Sequence, residues 1–254
     1  MAVSLICTVK NEADNIAGLL DSMLAQSRRP DEIVVNDCGS TDATAAIVRG
    51  YIERGAPIKL VAGGHNISSG RNNAIAHAAG PLIASTDAGL TLDPRWLERI
   101  IAPLERGEAD LVAGFYRAAP RSLLELAIGA TNYPEPAEVD PARFLAAGQS
   151  VAFHKAVWAA AGGYPEWADH CEDLVFDQAA ARAGFRSAAA LDAVVWFRPR
   201  SSLRALFRQY FFYARGDGVA DLWPRRHALR YLTYLGLAGL LAAGRRRPAA
   251  VALL

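Results

Sequence analysis

Leu82-Ile83-Ala84-Ser85-Thr86-Asp87-Ala88-Gly89 is a short apolar run that stops at an acid and a glycine. Earlier in the chain, Ile33-Val34-Val35 stops in the same way at Asn36-Asp37, followed by Cys38-Gly39-Ser40-Thr41-Asp42. Open parallel sheets bind ligands just beyond the carboxyl ends of their strands. Two carboxylates delivered to that edge, each beside a glycine that lets backbone approach closely, point to a nucleotide and a metal. Either Asp taken alone also fits a turn former or a helix N-cap; the pair carries the stronger reading.

Around these two strands the first 115 residues alternate strand and helix patterns. Residues 3–7, 32–35, 58–61, 82–86 and 111–115 read as strands. Between them, Ile16, Leu19, Leu20, Met23 and Leu24 recur at helical spacing behind Asp14 as the expected cap. A second helix opens at Ser40-Thr41-Asp42, a third covers residues 70–79, and a fourth covers 94–106 with Pro94 in its first turn. Connections of this length imply parallel pairing, so this half is a doubly wound α/β unit.

The rhythm changes after residue 115. Residues 116–147 carry Pro120, Pro134, Pro136 and Pro141 and read as one helix, 122–130, then a long irregular loop of the kind that is usually functional. A strand (150–153), a helix (155–161), the turn Gly162-Gly163-Tyr164-Pro165 and a helix from Glu172 follow. Two separate strands are expected at 185–190 and 194–197. Ser201 or Ser202 then caps a helix bearing Leu203, Leu206, Phe207, Tyr210 and Phe211 on one face. The chain divides accordingly into one domain over residues 1–227, with a first half (1–115) and a second half (116–227), and an apolar helical tail (228–254).

With 254 residues the chain can bury a sizeable core, and its net charge of +1 argues against a nucleic-acid binder. Only Lys10, Lys59 and Lys155 are lysines among 27 basic residues. Cys7, Cys38 and Cys171 are widely spaced, which indicates a reducing compartment. No secretory signal is expected at the N-terminus. Neither a GxGxxG loop nor a P-loop follows the first strand, which counts against a dehydrogenase or an ATPase.

In place of glycines the first strand ends Cys7-Thr8-Val9-Lys10-Asn11-Glu12. Taken in order, Thr8 to Glu12, the Asp37-to-Asp42 turn, Gly70-Arg71-Asn72, Thr86-Asp87-Ala88-Gly89 and Cys171-Glu172-Asp173 make the chain resemble the family 2 glycosyltransferases of the GT-A fold. The resemblance covers residues 3–215. It implies a Rossmann-like, mostly parallel sheet with flanking helices, and inverting transfer from a nucleotide-diphosphate sugar, a UDP-sugar first, to an acceptor hydroxyl. By position it puts Thr8, Glu12, Asp37 and Arg71 on the nucleotide and Asp87 at the first place of the family's Asp-X-Asp metal motif. Gly89 stands where the second acid belongs, so the implied Mn or Mg ion has one side-chain ligand. Asp173 matches the family's general base, with Glu172 orienting base or acceptor. Arg208 and Arg215 are candidates to stabilise the leaving charge or to meet anionic lipid headgroups. His170 adjoins the acid pair. Trp96 and Trp196 read as core, while Trp158 and Trp167 flank the expected acceptor side.

The tail, residues 229–243, is apolar apart from Arg230 and is flanked by Arg225-Arg226 and Arg245-Arg246-Arg247. It is shorter than the ~20 residues a spanning helix needs, and its arginines can snorkel to headgroups. The expectation is a cytoplasmic protein attached to the inner face of the membrane through this tail, acting in cell-envelope or exopolysaccharide synthesis; a buried core helix is the alternative for the tail, against which the flanking arginines count. Two other classes stay open: an inactive nucleotide-sugar-binding protein, to which Gly89 lends weight, and a nucleotidyltransferase, against which the missing Lys- and Gly-rich loop counts.

Overall fold

The computed structural model describes residues 1–244. In chain order the elements are β1 (Val3–Val9), α1 (Ile16–Leu24), β2 (Glu32–Asp37), α2 (Thr44–Glu53), β3 (Ile58–Ala62), α3 (Ile67–His77), β4 (Leu82–Asp87), β5 (Leu90–Leu92) and α4 (Trp96–Glu105). The second half adds β6 (Leu111–Ala118), α5 (Leu123–Asn132), β7 (Ser150–His154), α6 (Lys155–Ala160), α7 (Glu172–Arg182), β8 (Ser187–Phe197), α8 (Leu203–Val219) and α9 (Pro224–Gly244).

All eight strands form one sheet in the order β3-β2-β1-β4-β7-β6-β8-β5. The β3-β2-β1-β4 segment is parallel, as is β6-β8. Successive residues of β1 feed opposite faces. Leu5, Cys7 and Val9 pack with α1, α2 and α4, whereas Ile6 joins Ile75, Val157 and Phe176 from α3, α6 and α7. Burial on both faces is what makes these strands read as continuous apolar runs.

Several boundaries depart from the sequence reading. β7 inserts antiparallel between β4 and β6, so β6 runs in the same direction as β4 without pairing to it. The two strands expected at 185–197 are one strand, β8, bulged where its register with β6 jumps from Gly114–Ala190 to Phe115–Val194. Asp14 does not cap α1; the Glu12 carbonyl takes the amides of Asn15 and Ile16 instead (both 2.9 Å). The third helix starts earlier than its apolar pattern, because Asn66 and Ser69 form a reciprocal capping box; Gly70 and Arg71 therefore lie inside it. Trp96 is fully buried, its Nε1 donating to Ser150 Oγ at 2.9 Å. Trp196 is not core: it pairs with Thr91 at the β5 edge and is 36% exposed.

Helices α8 and α9 stand outside the sandwich. Leu203, Phe207 and Phe211 on α8 and Leu229, Leu232 and Leu235 on α9 are all exposed. The C-terminal end of α8 touches the domain at Gly216, where an added Cβ would lie 2.8 Å from Cys171 Sγ. Among the described residues no helix is long and apolar enough to cross a membrane. The arginines 245–247 and the apolar residues 249–254 of the expected tail lie outside the described residues.

Candidate active site

Three neighbouring strand ends place the first set of polar groups. In register, Thr8 lies between Asn36 and Asp87, and Val9 lies opposite Asp37. Thr8 Oγ1 and Thr86 Oγ1 are buried there without a hydrogen-bond partner, and such atoms are rare unless a ligand or water completes them. Asp37 is tied into its turn, Oδ1 accepting from Ser40 N (2.9 Å) and Ser40 Oγ (2.6 Å). The turn-former reading of Asp37 therefore holds for Oδ1. Glu12 sits at the end of the same edge, accepting from Asn15 Nδ2 at 2.8 Å. Helix α3 approaches this edge closely, since a Cβ on Gly70 would lie 2.4 Å from Thr8 Cγ2 and 2.6 Å from Cys38 Sγ.

That close approach positions Arg71 at the centre. It is 2% exposed. Nη2 donates to Asp87 Oδ1 and Nη1 to Glu172 Oε1, both at 2.6 Å, while Nε is buried without a partner. The Tyr164 ring lies on one side, 5.3 Å from the guanidinium carbon. Gly148 lies against it too: a Cβ there would stand 2.3 Å from Nη2. Burial works against the charge, but Asp87 and Glu172 hold the guanidinium well above its ordinary value, so Arg71 is a fixed cation.

The acid pair opens α7. Cys171, the residue before it, has a left-handed backbone (φ 61°), an uncommon conformation for a residue with a Cβ. Glu172 is buried; burial lifts its carboxyl above the usual range, although Arg71 pulls it down. Asp173 is half-buried, with Oδ2 accepting from Gly148 N (3.1 Å) and Oδ1 from Leu174 N (2.9 Å). One turn further, buried Asp177 accepts from Ala146 N at 2.8 Å, and burial together with nearby Asp173 pushes its carboxyl well up. The Cys171 thiol is pushed up to about 12 by burial and by Asp217, which leaves it inert as a nucleophile.

Arg71, Asp87, Glu172 and Asp173 line one cavity of about 760 Å³. Its other walls are residues that sequence reading did not single out for the site, among them Tyr116, Tyr133, Tyr213, Trp223, Arg226 and Arg230. The expected Arg208 and Arg215 are exposed and do not line it; Arg208 lies over the Phe212 ring. His170 lines it, stacked on Phe212 with centroids 4.8 Å apart. Trp158 belongs to a separate cleft between α3 and α6, where its Nε1 donates to Asn72 Oδ1, and Trp167 is exposed.

Asp87 offers a cation little. One oxygen is held by Arg71, Gly89 adds no side chain, and among the described residues no group of three or more His, Cys, Asp or Glu could hold a metal ion. The second oxygen, on a side chain 34% exposed, is a hard donor suited to Mg or Mn. The remaining positions of a six-oxygen shell fit phosphate and water.

The doubly wound core with an antiparallel insertion, and a strand-end acid joined through arginine to a helix-start acid, define an α/β domain with a charged site at its sheet edge. The sequence pattern described as "Glycosyl transferase family 2" matches residues 4–135, and the chain belongs to that family. The mannosyltransferase PcManGT from Pyrobaculum calidifontis, solved with GDP-Man and Mn2+, superposes with a TM-score of 0.74 at 24% identity, covering 99% of this chain and 78% of that one. The fold is therefore GT-A. Dodecaprenyl-phosphate galacturonate synthase of Rhizobium johnstonii is 32% identical over 122 residues, 45% of this chain and 36% of the synthase. Succinoglycan biosynthesis protein ExoA of Rhizobium meliloti is 27% identical over 218 residues, 81% of this chain and 66% of that protein. The chain thus spans about a third of the first relative and two thirds of the second.

Proposed function

We propose that this chain transfers a sugar, with inversion, from a nucleotide-diphosphate sugar to an acceptor hydroxyl, in the synthesis of a cell-envelope or extracellular polysaccharide. One observation carries the reading: Arg71 ties the acid at the strand edge to the acid pair of α7 within a single cavity. In this reading residues 1–115 hold the donor and residues 116–227 the acceptor. Thr8, Glu12 and Asp37 take the base and ribose, with the buried orphan hydroxyl of Thr8 as one ready partner. UDP is the first choice of nucleotide; GDP is the alternative, in view of the ligand of the mannosyltransferase.

Asp173 accepts the proton of the acceptor hydroxyl. The resulting oxygen bonds to the anomeric carbon on the face opposite the diphosphate, and the carbon–oxygen bond to the diphosphate breaks, so configuration inverts. Arg71 holds positive charge close to where the leaving group gains negative charge, without reorganising. A divalent cation held by the outer oxygen of Asp87 would add positive charge there. Glu172, anchored to Arg71, orients the start of α7 and with it Asp173. The exposed apolar surface of α9, with Arg225, Arg226 and Arg230 at its first turns, supports attachment to the inner face of the membrane.

The test is calorimetric titration of UDP-, GDP-, dTDP- and CDP-sugars with and without manganese, followed by transfer assays with the donor that binds. Absence of binding by all four would overturn the reading. Binding without transfer to any acceptor would favour an inactive sugar-nucleotide-binding protein, the reading that Gly89 and the engaged state of Asp87 support. Nucleotidyl transfer to a sugar phosphate would replace both.

A further inference from the structure

The cavity wall carries charges of both signs. Glu172 and Asp173 line it from α7; Arg226 and Arg230 line it from the first turns of α9, one helical turn apart, with Trp223 before them. Neither arginine has a carboxylate within ion-pair distance among the described residues; the neighbouring Asp217 lies 3.7 Å from His227 Nε2 instead. Two guanidinium groups on a cavity wall supply the charge and the forked donors that a phosphate takes.

Beyond Arg230 the same helix changes character. Tyr231, Leu232, Tyr234, Leu235, Leu240 and Leu241 are exposed, and every residue from 231 to 243 is exposed, so no face of α9 packs on the domain there. A helix that is apolar all round is built for an apolar surrounding. Along α9, then, a cationic pair that shares a cavity wall with Asp173 is followed by an apolar stretch.

We infer that the acceptor is carried on a lipid through a phosphate or pyrophosphate. Its anionic linker sits at Arg226 and Arg230, its hydrocarbon chain lies along α9, and its hydroxyl reaches Asp173. This rests on the transferase reading and adds the substrate class of the acceptor side. The cavity volume, within the 300–1,000 Å³ typical of small-ligand sites, suits a sugar and its phosphate linkage, leaving the lipid outside. The same arginines would otherwise have to serve bulk anionic headgroups, and the experiment separates these two sources of phosphate.

Wild type and an Arg226→Gln/Arg230→Gln variant are titrated, in one neutral detergent, with farnesyl phosphate, farnesol and inorganic phosphate. UDP and GDP are titrated in the same preparations, and binding to phosphatidylglycerol and phosphatidylcholine vesicles is measured by flotation. Farnesyl phosphate should bind wild type about tenfold or more tighter than farnesol or inorganic phosphate, the worth of one charged hydrogen bond. The variant should bind it no better than farnesol, with nucleotide affinity unchanged. Both arginines lie outside the core, so the variant keeps its fold, as a thermal melt will record. Equal binding of farnesyl phosphate and farnesol by wild type, or an unaltered variant, would overturn the inference. So would a variant whose only defect is loss of phosphatidylglycerol vesicles. If neither nucleotide binds while farnesyl phosphate behaves as expected, the donor reading fails and the anionic-lipid site stands.

Discussion

Arg71 Nη2 lies 2.6 Å from Asp87 Oδ1 while Nη1 of the same guanidinium lies 2.6 Å from Glu172. A planar fork holds two carboxylates in fixed directions, whereas a lysine ammonium is a compact point charge on a flexible stem with no such fork. Arg71→Lys should keep the charge and lose one of the two contacts. Breaking a buried pair from one side costs about 3–5 kcal/mol, so Arg71→Ala should lower the unfolding midpoint sharply, with Arg71→Lys in between. Urea denaturation of the three proteins checks the order; a lysine variant as stable as wild type would mean that the two-sided grip is dispensable.

Gly148 probes the same cation without altering any charge. Its backbone N–H donates to Asp173, and a Cβ added to it would overlap the Arg71 guanidinium. Gly148→Ala must push Arg71 away from one of its acids or shift the loop that holds Asp173. Transfer should fall by about tenfold or more, since sub-ångström misplacement in a site is expensive, with donor affinity changing less than turnover. A fully active Gly148→Ala enzyme would show that the guanidinium can move freely.

In the proposed reading Asp37 binds donor without metal and Asp87 binds it through metal. Asp37, held in its turn by Ser40, should matter to nucleotide binding in EDTA as much as in manganese. Asp87→Ala should remove the increment that manganese adds and leave the metal-free affinity nearly intact. Because Arg71 already holds one Asp87 oxygen, chelation should weaken donor binding without abolishing it. Calorimetry of both variants in each condition is the measurement; two variants that bind donor like wild type would remove both acids from the site.

Much of the fold was legible in the chain because burial on both faces leaves long apolar runs, and β2 and β4 each end at an acid, Asp37 and Asp87, on the sheet edge. What was hidden shares one cause: local pattern does not encode partners. β7 is as apolar as its neighbours, and nothing in Ser150–His154 tells that it pairs antiparallel to β4. Glu172 is 101 residues from Arg71, so their contact had no local trace. The tyrosines of the cavity come from β6, the loop after α5, and α8. Arg226 and Arg230 read as arginines of an apolar tail, and nothing local placed them on the cavity wall. The break within β8 looked like a turn because a bulge interrupts the period-two pattern as a turn does.

Asp177 gives the structure a pH signature. Its carboxyl, ordinarily near 3.8, is pushed well up by burial and by Asp173. A carboxyl raised in the folded state favours folding while it is protonated and loses that contribution as pH rises toward the folded value. Between the two values, stability should fall by up to about 1.4 kcal/mol per pH unit from this group alone. Asp177→Asn keeps an oxygen for Ala146 N and cannot ionise, so its stability relative to wild type should climb across that window and level off above it. Denaturation midpoints taken from pH 4 upward check this; two parallel curves would mean that Asp177 is already ionised in the folded protein.

Asp173 and Glu172 are adjacent yet bound differently, and that difference predicts different kinetics. Asp173 is half-buried, held only by two backbone N–H groups, and faces the cavity. Glu172 is buried and engaged by Arg71. Asp173→Asn preserves shape, accepts no proton at neutral pH, and should lower turnover by ~10²–10⁴-fold with donor affinity unchanged. Glu172→Gln should cost less in turnover, because its work is orientation, and more in stability, because it leaves Arg71 with a single counter-charge. Transfer rates, donor binding and unfolding midpoints measured on the same two preparations separate the roles. An Asp173→Asn enzyme with near wild-type transfer would pass the proton to Glu172 or His170, and a Glu172→Gln protein as stable as wild type would show that Asp87 alone suffices to hold the guanidinium.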